Sequence, residues 1–223
     1  MTGLDSSVLF SGRGLACRRG GRDVFEDLDF DLAPGGLLRL SGPNGSGKSS
    51  LLRLMAGLTP ILRGTLLWQG QPVAPGMLAR DRRLAYLGHA DAVKPALSPI
   101  EILRFWSRLH GTVPDETILT AALAAFGLAR QAGLAARFLS AGQKRRLNLA
   151  RLLILPVPLW LLDEPFASLD SAGTEALAAA IARHRTTGGM VVLSTHDSRS
   201  LDETGHIALD AHAVRHARGE VAS

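Results

Sequence analysis

Eight consecutive residues, Gly42 to Ser49, constrain the fold of this chain more than any other feature of its sequence. They read G-P-N-G-S-G-K-S, which matches the pattern G-x-x-x-x-G-K-[ST], and they join a predicted strand, Leu37–Ser41, to a predicted helix, Lys48–Ala56. Glycines in such a loop let backbone N–H groups turn inward, and the helix N-terminus adds a positive dipole end. The loop therefore predicts a site for the phosphates of a nucleotide.

Side chains of the same loop complete the predicted phosphate site. The Lys48 ammonium can reach the β and γ phosphates, and the Ser49 hydroxyl is a ligand for Mg²⁺. The 25 Lys and Arg residues outnumber the 20 Asp and Glu residues, and this net charge of +5 favours an anionic partner. We expect nucleotide contacts from Gly42, Pro43, Asn44, Gly45, Ser46, Gly47, Lys48, Ser49 and Ser50.

Composition excludes several other classes of protein. With 46% apolar residues the chain can bury a full core, which excludes a disordered or collagen-like chain. The single cysteine, Cys17, excludes an intramolecular disulfide and a Cys-based zinc site, so we expect a reducing cytosolic compartment. The longest apolar run, Leu152–Leu162, is too short for a transmembrane helix, and the first residues do not resemble a secretory signal.

The order of the predicted elements indicates an α/β fold with an inserted helical region. Only helical patterns occur between residues 99 and 153, whereas strands and helices alternate before and after them. The predicted strands are Leu28–Leu32, Leu37–Ser41, Thr65–Gln69, Leu84–Leu87, Leu159–Leu162, Met190–Ser194 and one near His206–Leu209, and a helix spans Ser171–Arg185. We predict one domain, 1–223, with a core lobe of approximately 1–88 and 157–223 and a helical lobe of approximately 89–156.

Two adjacent carboxylates end the most apolar predicted strand. Asp163 could hold Mg²⁺ through water, and Glu164 follows at a position from which it could accept a proton from the water that attacks the γ phosphate. A strand that ends in Asp-Glu is more often the start of a turn. In a chain that also carries the phosphate loop, the catalytic interpretation is preferred.

A third motif, Leu139-Ser140-Ala141-Gly142-Gln143, opens a predicted helix about twenty residues before Asp163. Without the other motifs, a helix start capped by Ser140 would explain it. With them, the chain resembles the ATP-binding cassette (ABC) ATPases, whose signature is Leu-Ser-Gly-Gly-Gln, and Ala141 replaces the usual first glycine. The resemblance implies that Ser140, Ala141, Gly142 and Gln143 contact the γ phosphate of ATP held by the opposite subunit of a head-to-tail homodimer with two ATP molecules at its interface.

Further positions follow the order of this family. The resemblance implies that Asp170 lies in the loop that crosses the dimer interface and that His196 is the switch histidine that contacts the γ phosphate. His89 stands where most members carry a glutamine, and an imidazole can also donate to the γ phosphate or to a metal-bound water. The usual adenine-stacking aromatic is replaced by Arg19; its guanidinium plane or the ring of Phe25 could contact the base, and a solvated arginine is an equal alternative.

The resemblance also implies a fold and a cofactor. We expect an α/β fold of the P-loop NTPase, ABC type: a RecA-like core sheet, an N-terminal antiparallel β subdomain and an inserted α-helical subdomain, with ATP and Mg²⁺ bound. Within the family, the chain is similar to the ATP-binding subunits of the exporter required for cytochrome c maturation. The residues that carry this similarity are Tyr86–His89, Lys94 and Leu97 at their spacing from it, Ile100–Phe105, and Pro158–Trp160 before Leu161–Phe166.

Such a subunit would associate with integral membrane subunits at the cytoplasmic face of a bacterial inner membrane, as a peripheral protein that handles no nucleic acid. Haem would be handled by these partners, because the sequence shows no haem site. The ATPase of a drug or lipid exporter shares every catalytic motif and stays open as the alternative. A soluble ABC ATPase of DNA repair or of translation is disfavoured, because the chain lacks a long insertion and a second pair of nucleotide motifs.

The family's membrane subunits insert a short helix between the two lobes, so we expect a coupling surface at about Asp91 to Arg108. Val93, Leu97 and Ile100 could fill that groove together with Phe105. Ordinary packing within the lobe is the alternative, and for Phe105 it is the preferred one.

Overall fold

The computed structural model describes residues 9–90, 92–195 and 201–214. The strands are β1 (Phe10–Arg19), β2 (Arg22–Leu32), β3 (Leu37–Ser41), β4 (Arg63–Trp68), β5 (Gln71–Pro72), β6 (Leu84–Leu87), β7 (Leu159–Asp163), β8 (Met190–Ser194) and β9 (Gly205–Ala208). The α-helices are α1 (Lys48–Met55), α2 (Met77–Arg80), α3 (Pro99–Leu109), α4 (Glu116–Ala125), α5 (Ala141–Ala150) and α6 (Ser171–Thr186). Short 3₁₀ turns cover Ala129–Gln131, Ala136–Phe138, Arg151–Ile154 and Leu209–His212.

A five-stranded parallel sheet forms the centre of the fold, in the order β6-β7-β8-β3-β9. Every residue of β7 and of β8 is buried, as expected for a parallel strand covered on both faces. The carboxyl ends of parallel strands share one edge of the sheet, so the segments that follow β3, β6, β7 and β8 emerge close together. This edge is where ligands bind in open α/β sheets.

A second sheet, antiparallel and in the order β2-β1-β4-β5, packs beside the first. It confirms the antiparallel β subdomain that the family resemblance implied. Its core joins Phe10, Phe30 and Trp68 to apolar residues of α1 and of one face of the parallel sheet, and the Phe10 and Phe30 ring centroids lie 5.2 Å apart. We did not predict β1 from the sequence, and the predicted strand Leu28–Leu32 covers only part of β2. In contrast, β3, β6 and β8 have their predicted bounds.

Helices α3, α4 and α5 form the inserted helical region around a core that includes Leu103, Leu123 and Leu147. The start of α3 is fixed by a capping box, in which the Glu101 carboxylate accepts a hydrogen bond of 2.8 Å from the backbone N–H of Ser98. Within the described ranges, no helix is both long and apolar enough to cross a membrane. The exact boundaries between a core lobe and a helical lobe stay a prediction.

Candidate functional site

The loop between β3 and α1 has a backbone that requires glycine at two positions. Gly42 and Gly47 have φ angles of 134° and 106°, which L side chains rarely adopt. A Cβ atom on Gly47 would lie 2.7 Å from Cγ1 of Val24, and one on Gly42 would lie 2.6 Å from Oγ of Ser46. The loop therefore folds closely onto its own residue Ser46 and onto the beginning of β2, with room for backbone only.

Lys48 begins α1 and is buried within this loop. Its ammonium donates to the carbonyl oxygens of Gly42 at 2.7 Å and Pro43 at 3.1 Å, so the loop itself holds the positive charge in place. In the described part of the chain the buried hydroxyl of Ser46 has no hydrogen-bond partner. A loop with a fixed ammonium, a helix N-terminus and a free buried hydroxyl fits the phosphates of a nucleotide.

An open cleft of about 770 Å³ lies over the loop and brings together several of the predicted site residues. Its lining includes Asn44, Gly45, Ser46, Gly47, Lys48, Ser49, Ser50, Arg19, His89 and Glu164. Arg19 is exposed at the end of β1, whereas Phe25 is fully buried and lies outside the lining. Of the two predicted base contacts, only Arg19 is therefore positioned in the cleft. Arg22, Asp23 and Val24 also line the cleft and were not predicted. Their position close to Arg19 in the sequence could have indicated them.

Asp163 and Glu164 lie at the carboxyl end of β7 and are connected through Ser194, the last residue of β8. The Ser194 hydroxyl donates to Oδ1 of Asp163 at 2.8 Å and accepts from the backbone N–H of Glu164 at 2.9 Å. Ser194 is fully buried and Asp163 nearly so, whereas Glu164 reaches the cleft. Burial and the negative charge of Asp163 raise the pKa of the nearby Tyr86 phenol above its ordinary value.

Arg145, in the second turn of α5, is a further residue at this edge that the sequence did not indicate. Its buried guanidinium donates to the carbonyl oxygens of Glu164 at 2.8 Å, Asp163 at 3.3 Å and Gly88 at 3.3 Å. The position of Arg145 shortly after the motif Leu139–Gln143 could have indicated a role at the site. It was not predicted, because a charged residue in a helix is usually exposed. The contacts join the ends of β6 and β7 to the helical region.

The motif residues Ser140, Ala141, Gly142 and Gln143 lie outside the cleft. Ser140 caps α5 in a capping box: its hydroxyl accepts from the Gln143 N–H at 3.2 Å, and the Gln143 side chain accepts from the Ser140 N–H at 2.9 Å. Ser140 and Ala141 are exposed and face solvent in the single chain.

Asp170 also lies outside the cleft, where it caps α6 by accepting from the Gly173 N–H at 2.9 Å. His196, the predicted switch histidine, falls outside the described residues. Asp163, Gly42 and Pro43 are not part of the cleft lining; Asp163 is buried, whereas Pro43 is exposed.

An apolar groove of about 320 Å³ lies at the predicted coupling surface. It is lined by Ala92, Val93, Lys94, Leu97, Ile102, Phe105 and Trp106. Phe105 is 49% exposed, so the preferred prediction of ordinary packing was wrong for this side chain. Ile100 packs against the core and does not line the groove.

Comparison with known proteins identifies relatives over nearly the whole chain. A model of the ABC transporter family matches residues 25–167. The cytochrome c biogenesis ATP-binding export protein CcmA of Paramagnetospirillum magneticum is 53% identical over 211 residues, which cover 94% of this chain and 97% of that protein. The protein of the same name from Rhodospirillum rubrum is 52% identical and covers 92% of this chain and 88% of its own length.

Solved structures give the same fold. An ATP-binding protein of an ABC transporter from Pyrococcus furiosus superposes with a TM-score of 0.81 over 92% of this chain and 99% of that chain, at 21% identity. At that identity the likeness shows the fold alone. An ATP-binding subunit of an ABC transporter at 28% identity has a TM-score of 0.75 and covers 84% of this chain and 79% of its own.

Proposed function

The chain belongs to the ABC transporter family and, within it, to the CcmA group of ATP-binding subunits, and from this premise we propose that it drives the handling and export of haem for the maturation of c-type cytochromes. Its activity is that of an ABC ATPase, which hydrolyses ATP to ADP and phosphate. One observation carries the catalytic part: a single cleft contains both the glycine-rich loop at Asn44–Ser50 and the Glu164 side chain.

In the proposed reaction, Glu164 accepts a proton from the water that attacks the γ phosphate, and Lys48 neutralises charge on the β and γ phosphates. The inward N–H groups of the loop bind the remaining phosphate oxygens. When bound, Mg²⁺ would supply further neutralisation of the phosphate charge. The Ser49 hydroxyl would hold it directly and Asp163 through water; the Ser194 hydrogen bond keeps the Asp163 carboxylate in one orientation.

The remaining predicted residues have roles that depend on ATP. Arg19 would stack on the adenine, and His89 and His196 would contact the γ phosphate. Ser140–Gln143 and Asp170 would meet ATP bound to a second copy in a head-to-tail homodimer. The exposure of Ser140 and Ala141, outside the cleft of their own chain, supports this assignment.

We assign the apolar groove at Val93, Leu97 and Phe105 to integral membrane subunits similar to CcmB and CcmC. A groove that exposes an aromatic ring fits a short apolar helix of such a subunit. The chain would then be a peripheral protein at the cytoplasmic face of the bacterial inner membrane, and no nucleic acid is involved.

Lys48→Ala tests the ATPase site. Removing the ammonium leaves the loop without its point charge, so hydrolysis should fall to background and ATP should bind more weakly. Release of phosphate by the purified protein and equilibrium binding of ATP measure both effects. Near-normal turnover in this variant would contradict the assignment of the site.

The transport role is tested by coexpression with CcmB- and CcmC-like subunits in a bacterium that lacks its own CcmA. The wild-type chain should copurify with them and restore cytochromes c that stain for covalently bound haem. Phe105→Glu should reduce copurification and haem attachment but leave the basal ATPase rate of the isolated subunit unchanged. Val113→Glu is the matched control, because Val113 is 90% exposed and lies outside the groove.

If the purified chain hydrolyses ATP but neither copurifies with these subunits nor restores haem attachment in the cell, the assignment to cytochrome c maturation would be contradicted. Equal effects of the Phe105 and Val113 variants would contradict the groove as the docking site.

A further inference from the structure

Glu164 has an unusual backbone that is held by side chains on both sides. Its φ angle is 47°, in the left-handed region that costs a non-glycine residue on the order of 1 kcal/mol or more. Its N–H donates to the Ser194 hydroxyl at 2.9 Å, and its carbonyl oxygen accepts from the Arg145 guanidinium at 2.8 Å. Both polar backbone groups of the residue are therefore bonded to side chains from other elements, β8 and α5, and the carbonyl oxygen also accepts from the backbone N–H of Ala167 at 3.1 Å.

The Arg145 guanidinium reaches beyond Glu164. It also donates to the carbonyl oxygens of Asp163 and Gly88, each at 3.3 Å, and Gly88 directly precedes His89 in the cleft. Arg145 is 4% exposed and lies two residues after Gln143, on the helix that Ser140 caps. A planar guanidinium can donate to several carbonyls at fixed angles, which an ammonium cannot do equally well.

We propose that Arg145 is a positioning residue for ATP hydrolysis: it holds the backbone of Glu164 so that the carboxylate faces the attacking water, and it links that position to α5. This inference rests on the proposed role of Glu164 as the general base. Because reacting groups must be held within a fraction of an ångström, a shift of the Glu164 carbonyl is expected to reduce the chemical step more than the binding of ATP.

Arg151 offers a matched control, because it is a buried arginine directly after the C-terminal end of the same helix. It donates to the Tyr86 carbonyl at 2.7 Å and lies 4.3 Å from the Trp106 ring centroid, so it also ties the helical region to β6. None of these contacts involves Glu164. A role that is only structural would make the Arg145 and Arg151 variants behave alike.

The experiment compares Arg145→Met, Arg145→Lys and Arg151→Met in the purified full chain with Mg²⁺ and ATP. Single-turnover hydrolysis and equilibrium binding of ATP are measured for each. Arg145→Met should lower the hydrolysis rate about 10- to 100-fold and change the Kd for ATP by less than about 3-fold. Arg145→Lys should be intermediate, and it carries the test if the Met variant does not fold. Arg151→Met should change the rate by less than about 3-fold.

A double variant separates positioning from general damage. If Arg145 acts through the Glu164 carboxylate, Arg145→Met should cause little further loss of hydrolysis when Glu164→Gln is already present. Losses that multiply in the double variant, or equal losses in the Arg145 and Arg151 variants, would overturn the inference. Near-normal hydrolysis by Glu164→Gln alone would overturn the proposed role of Glu164 as the general base, and the role of Arg145 with it.

Discussion

Ser194→Ala removes one hydroxyl group that joins the two carboxylate residues of the site. Ser194 is fully buried at the end of β8, and its oxygen both donates to Asp163 and accepts from the Glu164 N–H. Alanine fits the same space without the oxygen. The substitution therefore isolates the two hydrogen bonds from any change in packing volume.

The expected loss of stability follows from the two bonds. A hydrogen bond to a charged acceptor contributes about 1.5–3 kcal/mol, and a buried N–H left without a partner costs about 1–3 kcal/mol. Because the two effects share one oxygen, we expect a combined loss of about 3 kcal/mol in the free energy of unfolding. With a urea m-value of about 2–3 kcal/mol/M, the unfolding midpoint should fall by about 1 M.

Urea unfolding followed by tryptophan fluorescence measures this loss, with Ser107→Ala as the control. Ser107 is also buried, but its hydroxyl pairs with the neutral hydroxyl of Thr112 at 2.7 Å, so its removal should cost only about 1 kcal/mol. ATP hydrolysis should fall in the Ser194 variant alone. Equal midpoint shifts in the two variants, or full hydrolysis by Ser194→Ala, would refute the reasoning.

Three further predictions concern pH, the loop and His89. Burial lowers the pKa of His184, so the stability contributed by its neutral imidazole is complete above about pH 6.5 and is lost as the pH falls. His184→Phe should reduce this loss of stability at acidic pH, measured by urea unfolding; the same pH profile in the variant and the wild type would contradict the prediction. Gly47→Ala places a Cβ against Val24 and should weaken ATP binding at least about 10-fold, whereas the control Gly188→Ala, also at positive φ but in open space, should leave binding unchanged. His89→Gln should retain most of the ATPase activity, because the amide keeps one donor and one acceptor, whereas His89→Ala should be impaired; an Ala variant as active as the wild type in phosphate release would exclude a role.

The conformation of the glycine-rich loop could be predicted from the sequence because its determinants lie in consecutive residues. Gly42–Ser49 fixes the turn, the ammonium and the helix start within a single segment, and the strand before it has its predicted bounds. The β1 strand was missed because its pairing has register shifts around Gly14, where φ is 54°, so apolar residues do not alternate as a strand pattern requires.

Residues that act through tertiary contacts could not be found in this way. Ser194 lies 31 residues from Asp163, and Arg145 lies 57 residues from Gly88, so their contacts exist only when the parallel sheet and α5 have assembled. For Phe105, ordinary packing within the lobe was the preferred prediction. Periodicity does not reveal that an apolar face of α3 remains open at the groove.

The central claim is that Glu164, in the cleft over the glycine-rich loop, activates the water that hydrolyses ATP. Glu164→Gln tests it most directly, because the amide keeps the size of the side chain and cannot take the proton. With ATP and Mg²⁺, the variant should bind ATP within a few-fold of the wild type, form a dimer detectable by light scattering, and hydrolyse ATP about 10²- to 10⁴-fold more slowly. Hydrolysis near the wild-type rate would contradict the claim.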